Sequence, residues 1–398
     1  MAPVNDLLPL EMLDEIFRRS VDGWRLQSLG ENMHPCTPLV LSHVWWRQCT
    51  LASPNLWQHF FVPGPPSGHR CPYGLRCTRR MERLGELFKQ RAQGLPLTLS
   101  YTAIPRRCAR DFSCACRISY VVERVSHVRE LELFVDTHSA HQLSQELSQC
   151  YFRRPLKLES LNVSFGVEDR QSIQWDARRC SPSNHACLFL HGCSRHALHA
   201  RTTLVSELYR LAPNVLRLTW RDDVCQVPPQ VYYRDGSSAC WSQLVCVTID
   251  AEMSATACLR LISGATHLRR LDVSRMWGEP TATPSSTTVP SVTSLALEEL
   301  SVASYDDMDP VLDALHLPYL RSLTIRCRQP QSNIGCSALK SFLGRMTGYL
   351  ENLVLGFGHD VEKAEIDSLL ACPELARLQL LSLSGLCGAA NIPSVQQA

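Results

Sequence analysis

The chain has 398 residues, of which 45% are hydrophobic and 20% charged, and its formal net charge is only +2. This is the composition of a globular protein with enough length for a small module and one larger domain. So small a net charge gives no electrostatic reason to expect nucleic acid or an anionic membrane as a partner. No apolar stretch approaches the roughly 20 residues that a membrane helix requires.

The N-terminal segment is acidic, and the chain is rich in cysteine. Asp6, Glu11 and Asp14 stand where a secretory signal would be basic and then apolar, so we expect a protein of the cytoplasm, the nucleus or both. In such a reducing compartment the 19 cysteines are expected to be free thiols. Several have apolar neighbours, where a free cysteine behaves as a small buried hydrophobe.

The first predicted element is a short amphipathic helix that begins at Pro9. Proline is tolerated in the first turn because its missing N–H would have no partner there. Leu10, Leu13 and Phe17 follow at helical spacing. A second run, rich in apolar and aromatic residues, extends from Pro38 to Trp57 and closes with Ser-Pro-Asn-Leu-Trp.

Together these two runs resemble an F-box of the fungal (basidiomycete-like) type. The family pattern reads roughly Leu-Pro-x-Glu-x-Leu-x-x-Ile-Phe, a spacer, a helix with Val and Trp-Arg, and then Ser-Pro-x-Leu-Trp. The matching residues are Leu8, Pro9, Glu11, Leu13, Ile16, Phe17, Leu41, Val44, Trp46, Arg47, Leu51, Pro54, Leu56 and Trp57. The resemblance implies a small three-helix F-box over residues 4–60.

An F-box implies docking on the small Skp-family adaptor and, through it, on a cullin. By this resemblance the adaptor-binding residues are Leu8, Pro9, Leu13, Ile16, Val44, Leu56 and Trp57. The chain departs from the family where only Trp45 separates Val44 from Trp46, since about three residues usually lie there. Removing two residues from a helix turns everything beyond them by roughly 200°. The alternative is therefore a non-catalytic interaction scaffold with a degenerate F-box.

Residues 61–124 are predicted to be a linker followed by the N-terminal cap of a repeat domain. The Pro- and Gly-rich run at 63–68 is the linker. A helix is predicted from Met81 to Gln93 and a strand from Leu95 to Tyr101. In fungal relatives such a helix and Pro-Leu-x-Leu strand open the repeat domain.

From about residue 125 onward, one pattern, apolar-x-x-apolar-x-apolar, returns nine times. Its copies are Val128/Leu131/Leu133, Leu158/Leu161/Val163, Val215/Leu218/Trp220, Leu244/Val247/Ile249, Leu268/Leu271/Val273, Leu297/Leu300/Val302, Leu320/Leu323/Ile325, Leu350/Leu353/Leu355 and Leu375/Leu378/Leu380. Leucine-rich repeats have a Leu-x-x-Leu-x-Leu core and periods of about 20–29 residues. The pattern therefore predicts an irregular leucine-rich-repeat-like solenoid over residues 125–386, followed by a tail at 387–398.

Each copy predicts a strand, because its last two apolar residues share one face. Helices are predicted before several strands, at 204–211, 257–262, 311–315, 338–346 and 366–370. Such units bury their apolar faces only by stacking, so we predict an α/β fold with parallel strands on the concave side and helices on the convex side. The alternative, unrelated strands of a doubly wound domain, would more often carry a Gly-rich phosphate loop, and none is present.

Two insertions are predicted within the repeats, near 165–203 and at 278–291. The first is rich in potential zinc ligands, namely Cys180, His185, Cys187, His191, Cys193, His196 and His199. Zinc sites use four such ligands, but no Cys-x2-Cys pair anchors this set. A second group, Cys71, Cys77, Cys108, Cys114 and Cys116, has no recognised spacing. We therefore predict no metal and no cofactor.

No nucleophile elbow, Walker loop, kinase signature or zinc-protease helix occurs in the sequence. The arginine pairs are dispersed along the chain, which favours a solvated surface over a nucleic-acid footprint. We therefore predict a protein that performs no chemistry, and we expect no nucleic-acid and no membrane partner.

The function that the resemblance implies is that of a substrate-recognition subunit of an SCF-type (Skp–cullin–F-box) ubiquitin ligase, with an unknown protein target.

The target is expected to bind the polar residues that alternate with the apolar strand positions, because solenoids commonly bind partners on their concave surface. These residues are Glu132, Asn162, Arg217, Thr248, Asp272, Ser301, Thr324 and Val354. Arg217, Asp272 and Arg321 are the predicted target-binding residues. Trp220 and Tyr305 lie nearby, and Trp220 is expected in the core as the third apolar position of its copy.

Overall fold

The structure is a computed structural model of the chain. It describes residues 53–62, 74–103, 128–149, 156–165, 192–226, 242–277, 291–329 and 334–386, together with residues 12, 15, 16, 19, 121, 125, 332, 395 and 396. The chain divides into two compact units. The first comprises residues 1–172 and 210–212, and the second comprises residues 173–209 and 213–398.

The first unit is a parallel α/β arrangement. After a 3-10 turn (Pro54–Trp57) come β1 (His59–Val62), α1 (Gly74–Arg91), β2 (Thr98–Ala103), β3 (Glu130–Val135), α2 (Thr137–Gln149) and β4 (Ser160–Phe165). The four strands pair in chain order, and every pair is parallel. The predicted helix and strand of the cap correspond to α1 and β2, whereas α2 was not predicted.

Helix α1 ends before Gln93, where the prediction had placed its last residue. Gln93 and Gly94 have φ angles of 50° and 84°. These angles lie in the left-handed region, which glycine adopts at little cost and which commonly terminates a helix. The backbone then turns directly into β2.

The second unit repeats the same alternation of strand and helix. Its elements are α3 (Gly192–Leu211), β5 (Arg217–Gln226), β6 (Cys246–Ser254), α4 (Ala255–Gly264), β7 (Arg270–Trp277), β8 (Val292–Thr293), β9 (Glu299–Ser304), α5 (Asp309–Ala314), β10 (Leu315–His316), β11 (Ser322–Cys327), α6 (Cys336–Leu343), β12 (Asn352–Val361), α7 (Lys363–Leu370), β13 (Leu380–Leu386) and β14 (Val395–Gln396). Of α3, the residues up to Tyr209 belong to the second unit. In the sheet the order is β5-β6-β7-β9-β11-β12-β13-β14. All neighbours are parallel except β14, which is antiparallel to β13, and β8 and β10 form a separate parallel pair.

The repeat copies stack in register, so that the same position of each copy meets its counterpart on the next strand. The middle apolar residues form one row across the sheet of the second unit: Leu218, Val247, Leu271, Leu300, Leu323, Leu353 and Leu381. The last apolar residues form a second row: Trp220, Ile249, Val273, Val302, Ile325, Leu355 and Leu383. From β5 to β12 both rows are buried. Such repetition supports the predicted pattern, and Trp220 is core as expected.

The helices cover the apolar side of these strands, and local interactions determine where each helix begins. The Ser254 hydroxyl accepts a hydrogen bond from the Ala257 N–H at 3.2 Å and so caps α4. Pro310 lies in the first turn of α5, where proline is tolerated. The Asp309 carboxylate accepts from the Gly335 N–H at 2.7 Å just before α6. Each of these helices turns its apolar residues inward, so the helices predicted at 257–262, 311–315, 338–346 and 366–370 are confirmed apart from their ends.

The last copy of the pattern lies three residues later than predicted. Leu381 and Leu383, not Leu378 and Leu380, pair with Leu353 and Leu355 of β12. The sequence allowed both choices because Leu378, Leu381 and Leu383 have the same spacing as Leu375, Leu378 and Leu380. Backbone pairing with β12 decides between them, and Leu375 instead lies in the 3-10 turn before the strand.

The stacked arrangement also begins earlier than predicted. Phe60 and Val62 of β1 pair with Leu99 and Tyr101 of β2, and all four side chains are buried. Trp57, which the F-box resemblance had claimed, stands three residues before Phe60 and completes the apolar spacing. The predicted boundary at residue 60 therefore falls inside β1.

The first predicted insertion and the predicted tail contain regular structure. Helix α3 begins at Gly192, so the end of the segment near 165–203 is helical. The predicted tail returns at Val395 and Gln396 to pair with β13. Three predicted features lie largely outside the described residues: the insertion at 278–291, the linker at 63–68 and the two cysteine-rich groups. Of the two groups, the structure describes the positions that fall in α1 and α3.

The predicted F-box region is largely outside the described residues. Met12, Glu15, Ile16 and Arg19 are helical, in agreement with a helix that begins near Pro9. Leu8, Pro9, Leu13 and Val44 are not described, so the three-helix F-box stays a prediction. Of the helices in the described part of the chain, none is long and apolar enough to cross a membrane.

Candidate binding surface

The strands of the second unit present a polar face on the side opposite to the apolar rows. Its central row consists of small residues that pair across the sheet: Thr219, Thr248, Asp272, Ser301, Thr324, Val354 and Ser382. Side chains alternate along a strand, so residues flanking a buried position lie on this face. Five residues of this row were predicted to lie side by side, and this placement is confirmed.

A second row of the polar face lies toward the start of the strands. It contains Arg217, Cys246, Arg270, Glu299, Ser322 and Asn352. Arg270 and Glu299 form an ion pair at 3.4 Å. Partial burial raises the pKa of the Cys246 thiol, although the neighbouring arginines oppose this shift. Cys246 is therefore a poor nucleophile at neutral pH.

A third row lies toward the carboxyl ends of the strands and carries exposed arginines. Arg221 pairs in register with Asp250, and Arg326 lies between Ala303 and Gly356. Arg221 and Arg326 are exposed. Neither has an ion-pair partner among the described residues. Each stands three positions after the middle apolar residue of its copy, a spacing from which the sequence could have identified both.

Arg275 connects the ends of neighbouring strands where the pairing register of the sheet becomes irregular. The register shifts after Arg221 in β5, after Ile249 in β6 and after Val273 in β7. At these shifts the Arg275 guanidinium donates to the carbonyl oxygens of Asp222 and Asp250, at 2.5 and 2.8 Å. It also lies 3.6 Å from the Asp250 carboxylate. One side chain thus bonds to the backbone of two neighbouring strands at their bulges.

Below this cluster, Arg201 of α3 and Asp222 of β5 form a buried ion pair. Their side chains are 2% and 0% exposed, and Arg201 Nη1 lies 2.8 Å from Asp222 Oδ2. A charge of this kind is tolerated in the interior only when it is paired. The pair therefore fixes the helix to the strand, and neither group is placed to act on a ligand.

An aromatic pair closes the carboxyl end of the polar face. The rings of Trp277, at the end of β7, and Tyr305, after β9, are stacked with centroids 4.4 Å apart and planes at 3°. Both side chains are half-buried. The Tyr305 N–H donates to the Met276 carbonyl at 2.9 Å, which holds the two strand ends together. Trp and Tyr are enriched among the residues that dominate binding energy at interfaces.

The three predicted target-binding residues do not share one location. Arg217 and Asp272 both lie on the polar face, in its second and central rows. Arg321 precedes β11 and lies at the turn, where its guanidinium is 3.9 Å from the Glu351 carboxylate. Arg321 therefore does not belong to the polar face, because the turn before the strand interrupts the alternation of side chains.

Arg321 belongs instead to a ladder of alternating charges along the turns. In the second unit the Arg269–Glu298 and Arg321–Glu351 pairs are separated by 3.8 and 3.9 Å. The first unit has the corresponding Arg129–Glu159 pair at 3.5 Å. All of these side chains are substantially exposed, so each pair contributes little to stability. Their alternation opposes a slip of one strand against its neighbour.

Three of the residues that were predicted to bind the adaptor are described, and their environments differ. Ile16 is exposed. Leu56 and Trp57 are each only 4% exposed. The Trp57 ring packs edge-on against Phe88 of α1 with centroids 4.9 Å apart, and the Arg91 guanidinium covers it at 4.4 Å. Trp57 thus anchors the chain leading into β1 against the first helix.

Among the residues that the structure describes, no group of three or more His, Cys, Asp or Glu side chains could hold a metal ion. A comparison with models of known protein families finds no match. A comparison with the curated proteins also finds none. The polar face of the second unit, with its arginines and its aromatic pair, is the candidate site that the described residues provide.

Proposed function

We propose that the chain is the substrate-recognition subunit of an SCF-type ubiquitin ligase. The F-box-like segment, predicted over residues 4–60, would dock on a Skp-family adaptor and thereby on a cullin, and the stacked repeats would bind a target protein. The observation that carries the repeat assignment is the in-register alignment of the same apolar positions on successive parallel strands. The assignment of the N-terminal segment rests on its sequence resemblance to the F-box.

The repeats are proposed to form a leucine-rich-repeat-like solenoid whose strands line the binding surface. A parallel sheet built from one repeated unit brings equivalent outward positions of successive units side by side. Variation at these positions then changes the surface without changing the core. The polar face has this property, since its rows vary in charge while the apolar rows remain leucine, valine or isoleucine, apart from Trp220.

In this function the chain performs no chemistry of its own. A target held on the polar face would be kept near the ubiquitin-charged enzyme that the cullin recruits. The gain is one of effective concentration, which depends on geometry and not on a catalytic residue of this chain. Neither a nucleophile nor a general base is therefore needed among the described residues.

The experiment is co-expression of the tagged chain with a fungal Skp-family adaptor, followed by pull-down. Leu8→Ala combined with Pro9→Ala is expected to abolish capture of the adaptor, because these residues head the resembling motif. Leu370→Ala is the matched control, since this exposed leucine lies in the second unit. Deletion variants should start at Ser53, because removal of residues 1–60 would cut β1. Capture of the adaptor by a chain without residues 1–52 would contradict the proposal.

The second candidate function is an interaction scaffold with a degenerate F-box. It is favoured by the contraction between Val44 and Trp46. In this case the repeats bind a partner, but no cullin complex forms. Inserting two residues after Val44 distinguishes the two functions, since a degenerate box should gain affinity for the adaptor. An unchanged or weaker affinity would remove the main support for the scaffold.

A further inference from the structure

We infer that the second unit binds a second copy of this chain through the turns that precede its strands, with the two copies antiparallel. This contact lies outside the polar face and does not depend on the proposed function. A row of residues with alternating charges carries it, together with the exposed apolar and aromatic side chains beside that row. We call the row the turn edge, and its members are Leu216, Val245, Arg269, Glu298, Arg321, Glu351 and Gln379.

The backbone holds the members of the turn edge side by side. The N–H of each member donates to the carbonyl oxygen of the member before it, at 2.7–2.9 Å in every step from Leu216 to Gln379. Each member comes one position before the first residue of its strand. The row therefore crosses the amino ends of the strands from β5 to β13, with its members about 4.8 Å apart.

The charges of the turn edge are complementary to themselves when one copy is reversed. Along the row, positive Arg269 is followed by negative Glu298, then by positive Arg321 and negative Glu351. A two-fold axis between Glu298 and Arg321 sets these two residues against each other across the interface. The same axis sets Arg269 of one copy against Glu351 of the other, so all four facing pairs have opposite charge.

Other ways of facing two turn edges are less favourable. A parallel arrangement in register would set each charge against the same charge of the second copy. A parallel arrangement shifted by one strand would restore opposite charges, but it leaves an open end on each copy and so builds a chain of copies. The antiparallel arrangement alone gives both complementary charge and a closed dimer.

The four charged side chains retain the capacity to bind across an interface. Within one copy the nitrogen–oxygen distances are 3.8 Å for Arg269 with Glu298 and 3.9 Å for Arg321 with Glu351. Both distances are longer than a hydrogen bond. A guanidinium has five N–H donors and a carboxylate two acceptor oxygens. An ion pair within one copy therefore leaves room for a second ion pair to the other copy.

The rows on either side of the turn edge also avoid like charges in this arrangement. One row holds the first residues of the strands, and the other holds the residues two positions before the turn edge. The same two-fold axis sets residues of each row against one another: Arg270 with Asn352, Glu299 with Ser322, Cys246 with Leu380, His267 with Tyr349, Ala296 with Tyr319 and Gln243 with Arg377. No facing pair among these described residues joins two like charges.

The exposed apolar and aromatic side chains of the second unit are concentrated at the same turns. Among its described residues, five large side chains of this kind are exposed, and all but Leu370 lie in turns before β5, β9, β11 and β12: Leu216, Leu295, Tyr319 and Tyr349. Leu295 is 67% exposed and Tyr319 56%. Burial of these side chains favours association, while the alternating charges fix its orientation.

The test measures the monomer–dimer equilibrium of the full chain by sedimentation equilibrium at low ionic strength. The wild type is expected to form a dimer whose Kd rises with salt, because exposed charges are screened. The acidic variant, Arg269→Glu with Arg321→Glu, makes the four central charges negative. The basic variant, Glu298→Arg with Glu351→Arg, makes them positive. Each variant alone is expected to dimerise roughly tenfold more weakly than the wild type.

A mixture of the two variants gives the sharpest result. The acidic and basic variants in equal amounts are expected to form a one-to-one heterodimer, roughly tenfold tighter than either variant with itself. The matched control is Arg221→Glu with Arg326→Glu, which makes the same change in net charge as the acidic variant but on the polar face. This control is expected to change the Kd of the dimer less than about threefold.

A second variant tests the same surface without a change in charge. Tyr319→Ser with Tyr349→Ser removes two exposed rings and is expected to weaken dimerisation roughly tenfold. It decides the question if like charges within one copy prevent the acidic or the basic variant from folding. A wild type that stays monomeric at every concentration would overturn the inference. So would folded acidic and basic variants that do not associate, an equal loss in the polar-face control, or an unchanged Kd in the tyrosine variant.

Discussion

Leu323 and Thr324 are neighbours on β11, but they lie on opposite sides of the sheet and follow different rules. Leu323 is fully buried in a row of leucines and valines that runs from Leu218 to Leu353. Thr324 belongs to a row that contains threonine, aspartate, serine and valine. The buried side tolerates little variation because interiors are close-packed. The polar side is free to vary, so the first side determines the fold and the second is available to determine the partner.

The ion pair between Arg201 and Asp222 places two charges among the apolar residues of the buried side, and breaking it should have the largest effect. Arg201→Ala leaves the Asp222 carboxylate buried without its partner, so we expect a loss of about 3–5 kcal/mol in the free energy of unfolding. Urea unfolding of the second unit measures it. The double variant Arg201→Met with Asp222→Leu should recover most of the loss. A single variant as stable as the wild type would show that solvent reaches this pair.

The two sides of β11 can be compared directly. Leu323→Ala removes a fully buried side chain and leaves a cavity, so we expect a loss of about 2–5 kcal/mol. Thr324→Ala removes a similar part of a side chain from the polar face and should cost less than about 0.5 kcal/mol. Both values come from denaturant midpoints under identical conditions. Similar losses for the two variants would contradict the assignment of sides.

Substitution of Gly358 in β12 tests how closely the segment around Gln329 and Ser332 approaches this strand. A Cβ atom at Gly358 would overlap the carbonyl oxygens of Gln329 and Ser332. We therefore expect Gly358→Ala to cost about 1–3 kcal/mol, as other overpacking substitutions do. Gly344→Ala is the matched control, because its Cβ would meet the Lys340 carbonyl oxygen at an ordinary 3.5 Å. Thermal unfolding of both variants should separate them, and equal melting temperatures would refute the close approach.

The reactivities of two thiols distinguish the buried side from the polar face. Cys258 lies on α4, which covers the buried side, and Cys246 lies on the polar face. Complete burial raises the pKa of Cys258 to about 12, from 9.0. At pH 9 iodoacetamide should therefore label half-buried Cys246 well before Cys258, as peptide mass spectrometry would show. The raised pKa also means that stability is lost as pH rises above 9, by about 1 kcal/mol at pH 10. This part of the pH dependence should be absent in Cys258→Ala. Rapid labelling of Cys258 in the folded chain would contradict its burial.

The charge ladder at the turns should give the smallest effect. Arg321→Ala removes one exposed ion pair with Glu351 and is expected to cost less than about 1 kcal/mol. The loss should decrease further in 0.5 M salt, because the Debye length falls below 5 Å or so at that ionic strength. A loss above about 2 kcal/mol would mean that the ladder maintains the strand register by itself.

The apolar rows could be predicted from the sequence because one spacing is repeated and each copy constrains the next. The register of β13 could not, since two leucine triplets have the same spacing and only pairing with β12 distinguishes them. Trp57 was assigned to the F-box, although its spacing to Phe60 and Val62 also fits the repeats. Arg221 and Arg326 were overlooked because the prediction considered only the residues between the apolar positions. Arg321 lies off the polar face because it precedes the strand, which begins at Ser322.

The buried pair of Arg201 and Asp222 had no signal in the sequence. The two residues come from an insertion and from the far part of β5, and only the packing of α3 brings them together. Similarly, the stack of Trp277 and Tyr305 depends on the shifted register at the end of β7. Such contacts arise from bulges and insertions, which a repeated pattern does not describe.

The central claim, that one part of the chain docks on a ligase and another holds the target, is tested most directly by quantitative mass spectrometry of proteins captured with the tagged chain under proteasome inhibition. Three forms are compared: the wild type, Leu8→Ala with Pro9→Ala, and Arg221→Glu with Arg326→Glu. We expect the first variant to lose the Skp-family adaptor and the cullin while it retains other captured proteins. The second should retain adaptor and cullin and lose other captured proteins, because Arg221 and Arg326 are exposed on the polar face. Capture of neither adaptor nor cullin by the wild type, or loss of both classes in either variant, would contradict the claim.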